Sequence, residues 1–288
     1  MWIILASLAA LTSGVAVIFQ KKGTYGKHII QGSAVHLSAL FVTVLLVTLL
    51  NGGLEQFFLV PARSWWLAVA SGAAQAASWV AYFTAMKQAN VSFLMVLDKT
   101  GVVVTMLLAA ILLHEQITAI MVLGGVLILA GTFLMGDPCG DTARLFCGEN
   151  RWILWGIVSP SMQALSNVLA KMDTASVDTA LTTTIRMFVV AVCLCLLGLI
   201  KEGSFRQIKE LGKYRVVMLV VGGAVLGVSY LLMYKALSIG TASAVTAIVR
   251  ANFLVTTVLA HIFLKERLSR RGVLGFVTVC FGVGLFLF

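Results

Sequence analysis

Charged side chains are scarce in this chain. Asp, Glu, Lys and Arg make up 11% of its 288 residues, and the acidic share is only 11 residues. An ordinary soluble domain carries about 25% charge, so a fold solvated by water is excluded. Proline is nearly absent, with three residues, which leaves long segments free of helix breakers. The four His and five Cys never fall at a four-ligand spacing, so no metal is expected. There is no G-x-x-x-x-G-K-[ST] and no strand-linked G-x-G-x-x-G, which removes nucleotide binding and ATP-driven work by this chain alone. Nor is there an H-E-x-x-H, a Ser/Lys dyad or a paired-aspartate site, so an enzyme and a cofactor are not expected.

What fills the chain instead is apolar sequence. Hydrophobic residues reach 60%, gathered in ten runs near 2–20, 30–51, 64–87, 91–113, 117–135, 151–171, 179–200, 215–237, 241–263 and 271–288. A bilayer core is crossed by about 20 apolar residues in a helix. The runs read as helices because a span in lipid must satisfy its own backbone hydrogen bonds, and a membrane barrel would show short alternating segments. The first run has no basic residue ahead of it, and Lys21 and Lys22 come after; it reads as a retained span rather than a signal peptide. The expected fold is an all-α integral membrane protein with ten transmembrane helices.

The chain repeats itself at an offset of about 150 residues. WIILASLAALTSGVAVIFQKKGT lies on WILWGIVSPSMQALSNVLAKMDT, which sets Lys21 on Lys171. After a one-residue shift Gly72 meets Gly223, Ser78 meets Ser229, Lys99 meets Arg250 and Glu115 meets Glu266. LGGVLILAG (123–131) then faces LGFVTVCFG (274–282). Five spans per half is an odd number, so the second half must enter the membrane inverted, the plan of many secondary transporters. The halves are 1–136 and 151–288, joined by a linker at 137–150.

Each half carries a small-residue connection, a span, a Glu and a glycine-bearing last helix. These stretches read KQANVSFLMVLDKTGVVVTMLLAAILLHEQIT…LGGVLILAG and LSIGTASAVTAIVRANFLVTTVLAHIFLKERLS…LGFVTVCFG. On these stretches each half resembles an EamA domain of the drug/metabolite transporter superfamily. HEQIT in the first copy departs from the more usual G-E-R/K-L form. The resemblance implies two inverted five-helix repeats around a central cavity, and solute export or exchange by alternating access, with the solute left open.

An ionisable group at mid-membrane costs about 2.5–3.5 kcal/mol on translocon scales, so such groups are candidates for function. Lys99 lies about 12 Å into the fourth span at 1.5 Å per residue, and Arg250 lies at the same depth in the ninth, from the opposite face. Inverted spans should bring both to the pseudo-two-fold axis, where they would bind an anionic or zwitterionic solute. The competing assignment is a fixed internal ion pair. Asp98, the one deep acid, is not expected to face Lys99, since neighbours on a helix point about 100° apart; it could pair across to Arg250 or Arg186. Arg186, aligned with His36, is expected to snorkel or pair with a neighbouring helix. His36 is expected to be a satisfied interior residue.

Gln163, Asn167 and Lys171 form a polar stripe beyond Pro160 in the sixth span, with Gln75, Ser78, Tyr230 and Tyr234 as further lining candidates. Glu115 and Glu266 end their spans at the membrane boundary and are expected to cap or to pair at a gate with bases such as Lys265 and Arg267. Cys193, Cys195 and Cys280 are expected to be inert core residues.

The net charge of +10 follows topology rather than nucleic acid, for which no module is present. Of 21 Lys and Arg, fifteen follow odd-numbered spans, three follow even-numbered spans and three lie inside spans. Positive-inside then places both termini outside, whereas the resembled family is usually drawn with both inside. The same orientation keeps Cys139 and Cys147, in the linker, as reduced thiols. Expected partners are a small-molecule solute and the lipid bilayer, with no nucleic acid and with a homodimer left open, in a bacterial plasma membrane. Export of cationic drugs and a non-transporting membrane enzyme or sensor are the alternatives.

Overall fold

The computed structural model describes residues 1–23, 29–53, 57, 58, 60–86, 91–135, 151–173, 178–202, 212–264 and 270–287. The first repeat comprises α1 (Trp2–Gly23), α2 (Ile29–Leu50), α3 (Ala62–Met86), α4 (Val91–Leu113) and α5 (Ala119–Met135). The second comprises α6 (Arg151–Asp173), α7 (Thr179–Glu202), α8 (Lys213–Ile239), α9 (Ala242–Arg250), α10 (Asn252–Leu264) and α11 (Arg270–Gly284). The regular structure of the described residues is helical throughout. Among the described residues six stretches are long and apolar enough to cross a membrane by length and composition, one of them, Ala242–Leu259, running across α9 and α10, and Ala119–Leu134 is a shorter apolar helix.

The ninth span is broken. α9 ends at Arg250, Ala251 closes it with its N–H on the carbonyls of Ala247 and Ile248, and α10 begins at Asn252. The sixth span stays helical through Pro160.

Packing follows a two-fold pattern. α1 lies on α8 and its counterpart α6 on α3; α2 also meets α8, as α7 meets α3; α4 packs on α6, as α9 and α10 pack on α1. The pairs α2 with α7, α4 with α9, and α5 with α11 join equivalent helices and so straddle the axis. The larger contacts therefore cross between repeats, and one apolar cluster draws on α1 to α4 and α6 to α9. The repeats are interleaved around a common core.

Glycine spacing supplies the register. A Cβ at Gly124 would lie 2.8 Å from the carbonyl oxygen of Gly282, and a Cβ at Gly282 would lie 2.8 Å from that of Gly124. Gly131 meets the carbonyl of Gly275 in the same way. Since Gly124 aligns with Gly275 and Gly131 with Gly282, the antiparallel crossing of α5 and α11 exchanges repeat-equivalent residues. Close backbone approach of this kind holds helices together in lipid, where no hydrophobic force drives them. Gly72 and Gly223 likewise sit on the backbone carbonyls of Arg186 and His36.

Candidate functional site

The crossing of α4 and α9 carries the charged centre. Asp98 accepts from Lys99 Nζ at 3.2 Å and, through its other oxygen, from Arg250 Nη1 at 3.1 Å. Arg250 Nη1 also donates to the Asp98 backbone carbonyl. The contact between Asp98 and Lys99 corrects the expectation that adjacent helical residues cannot pair. A lysine has a four-carbon stem that curls back over its own turn, so the divergence at Cβ does not fix where Nζ ends. The acid is also the accessible member: its side chain is 33% exposed, against 6% for Lys99 and 9% for Arg250.

Two cations thus share one carboxylate. Arg250 Nη2 is buried without a hydrogen-bond partner among the described residues. Lys99 Nζ also lies 4.9 Å from the centre of the Phe253 ring, a cation–π contact. Gly101 leaves room for the guanidinium, since a Cβ there would fall 2.5 Å from Arg250 Nη2.

An amide network joins the repeats beside this triad. Gln75 on α3 and Gln163 on α6 exchange hydrogen bonds of 2.5 and 2.7 Å. Gln75 also donates to the Tyr230 hydroxyl at 3.3 Å, and Gln163 to Asn167 Oδ1 at 3.3 Å. Ser78 approaches Ser159 at 3.4 Å. Lys171 leaves the stripe for a different cluster.

That cluster sits where α4, α6 and α8 end. Glu115 accepts from Lys171 Nζ at 2.6 Å, from the N–H of Ala242 at 2.7 Å, and from the N–H and hydroxyl of Ser243 at 3.3 and 3.0 Å. Lys171 also donates to the Gly240 carbonyl at 2.7 Å. Glu115 therefore caps a helix of the other repeat, α9, whose own N-cap residue Thr241 makes no side-chain cap. Burial favours the neutral carboxyl of Glu115, but Lys171 and the N–H groups of Ala242 and Ser243 outweigh it and hold the group below its ordinary value. Of the expected cap or pairing, the structure shows the cap, with Lys171 as its base in place of Lys265 and Arg267. Those two and Glu266 lie outside the described residues.

His114, just before Glu115, has φ of 54°, a left-handed conformation that costs a side chain about 1–2 kcal/mol. This is the position where the more usual form of the motif has glycine.

Arg186 does not snorkel. It is fully buried, with its guanidinium 4.3 Å from the centre of the Tyr234 ring and Nη2 donating to Thr182 at 3.2 Å. Its Nε and Nη1 find no hydrogen-bond partner among the described residues. His36 is held through Nδ1 by the Leu219 carbonyl at 3.1 Å. Cys193 and Cys195 are half-buried thiols, whereas Cys280 faces outward rather than into the core. Cys139 and Cys147 lie outside the described residues.

Phe253, Gly101 and Ser243 escaped the sequence reading. Phe253 stands three residues after Arg250, a spacing that shares a helix face and was available as a signal. Gly101 and Ser243 announce themselves only through residues of the other repeat.

Comparison with known proteins agrees with this architecture. The model of the EamA-like transporter family matches residues 1–136 and 150–288. An uncharacterized transporter in cobO 3'region of a Sinorhizobium species is 26% identical over 133 residues. The match takes in 92% of that relative and 46% of this chain, so the relative is about the size of one repeat. A solved crystal structure, described only as that of a protein, superposes with a TM-score of 0.79 at 15% identity. It covers 99% of this chain and 95% of its own, a likeness of fold alone.

Proposed function

The chain belongs to the EamA-like transporter family, and from that membership we propose a secondary carrier that exports or exchanges a small anionic or zwitterionic metabolite by alternating access. One observation carries the charge preference. Lys99 and Arg250 share the single carboxylate of Asp98, and Arg250 keeps a buried, unpartnered Nη2. The triad has one cation in excess. Leaving a donor of this kind unmet costs about 1–3 kcal/mol, which an acceptor oxygen on the solute recovers. A carboxylate or phosphate on the solute would take the free donor, and the ammonium of a zwitterion would take Asp98. The net positive loop charge favours the face of the odd-numbered loops as cytoplasmic, in a bacterial plasma membrane.

The test is a panel of anionic, zwitterionic and cationic metabolites, read as thermal stabilisation of the purified protein, since a ligand of the folded state raises its apparent stability. Anionic or zwitterionic compounds are expected to stabilise the native protein and to lose this effect in R250A. Equal stabilisation of folded native and R250A proteins by every such compound would sink the proposal. The exposure of Asp98 favours a second reading, a carrier of organic cations. In that case cationic compounds stabilise the native protein, D98N abolishes their effect, and R250A does not.

A further inference from the structure

The triad accounts for the centre of the molecule but not for the cluster at the far end of α4. Leu113 lies about 22 Å along α4 from Asp98 at 1.5 Å per residue. There Glu115 binds Lys171 and the first turn of α9. We propose that this cluster is the gate that closes the charged centre toward the face carrying the even-numbered loops, and that it opens when Lys171 and Glu115 separate. The proposal rests on the carrier reading above and adds its point of control.

Three features argue for a gate rather than a fixed brace. The contact gathers the α4–α5 connection of one repeat with the end of α6 and the α8–α9 turn of the other, so it spans the boundary that must part for access. It holds a short element with a break behind it: α9 has nine residues and ends at Arg250, beyond which Ala251 and the start of α10 form a separate turn. Moving the first turn of α9 therefore moves the central arginine. Finally, its donors converge on one carboxylate. Ala242 and Ser243 lose a cap as Lys171 loses an ion pair, since Thr241 supplies none. The turn itself is seated: a Cβ at Gly240 would fall 3.0 Å from the Trp2 indole, so the closed position is defined by shape as well as by charge. The repeat alignment sets Lys171 on Lys21 and Glu115 on Glu266, so each half of the sequence carries both residue types of the latch.

The test uses Thr246, which is 2% exposed on α9 between Ser243 and Arg250. In a background without the five native cysteines, T246C is labelled with a membrane-impermeant thiol reagent in sealed vesicles of each orientation. With the latch intact, labelling from the even-loop face is slow. E115Q and K171M are expected to speed it at least about tenfold, the scale of losing a charge-assisted hydrogen bond. K171R keeps it slow, and S243A, which removes one hydroxyl, gives a smaller rise. Unchanged labelling in folded E115Q and K171M, or a rise confined to the opposite face, overturns the proposal. Should both unfold, S243A decides: a rate equal to the latch-intact protein overturns the gate. Labelling needs no solute, so a gate that responds while no anionic compound binds would leave the gate standing and the anion carrier fallen.

Discussion

Asp98 of the first repeat and Arg250 of the second meet at 3.1 Å, and the acid is the more exposed of the two. The contact joins residues 152 apart in sequence, on the two helices that cross at the pseudo-two-fold axis. The symmetry does not extend to every side chain. Lys99 and Arg250 are aligned, but Asp98 has Val249 as its neighbour-equivalent, so one acid serves both cations.

Asp98 competes with any anionic solute for those cations. D98N should therefore raise the thermal stabilisation given by anionic compounds while lowering the stability of the free protein. The loss should fall below the ~3–5 kcal/mol typical of breaking a fully buried pair, because the side chain is a third exposed. Thermal melts with and without the compounds measure both effects.

Gly101 is a condition for the arginine's placement. G101A puts a methyl group 2.5 Å from Arg250 Nη2, and the guanidinium must shift to make room. The expected result is weaker anion binding and a stability loss of about 1–3 kcal/mol, the range for overpacking. A melting curve and a binding titration on the same preparation check it.

His114 holds a conformation that glycine adopts at little cost. H114G should relieve part of the ~1–2 kcal/mol left-handed penalty, offset in part by the freedom glycine gives the unfolded chain. A net gain of about 0.5–1 kcal/mol is expected, seen as a higher midpoint in thermal unfolding. An unchanged or lower midpoint would show that the His114 side chain compensates for its backbone.

Glu115 is a carboxyl held below its ordinary value in the folded protein. A depressed acid contributes stability that is complete above its unfolded value, about 4.3, and is lost as pH falls through the lower folded value. The charged group facing it is Lys171 from α6. Slow labelling of T246C should therefore persist from neutral pH down to about 5 and give way only in stronger acid. In E115Q the rate should no longer respond to acid through this group.

Gly124 and Gly282 each face the other's carbonyl. G124A should push α5 and α11 apart and destabilise the protein by about 1–3 kcal/mol, with a similar effect for G282A. Because both alanines strain the same crossing, the double variant should cost less than the sum of the singles. A two-by-two set of melts measures the shortfall.

Much of this site was legible in the chain. Lys99 and Arg250 stood out because a cation inside an apolar span is costly, and the repeat offset put them at equal depth. Glu115 stood out by its place at a span end. Its capping role was expected, but its base is Lys171 rather than Lys265 or Arg267: loop parity puts Glu115 and Lys171 on one face, and only the fold brings those two span ends together. Asp98 pairs across to Arg250 as expected, but its contact with Lys99 was not foreseen: helical geometry fixes Cβ, while the long lysine side chain decides where the charge lies. Arg186, at seven positions into its span, was expected to snorkel or to pair with a neighbouring helix; it does the second, enclosed by the ring of Tyr234 on α8 and the packing of α3 on α7.

The sequence by itself determined the solvent, the helices, the duplication and its inversion, since these follow from apolar length, backbone hydrogen bonding and an odd number of spans. Only the tertiary structure decided which charges neutralise one another and which helix Glu115 caps. Ion pairs and caps depend on distances of a few ångströms between segments more than a hundred residues apart, and the interleaving of the two repeats sets those distances.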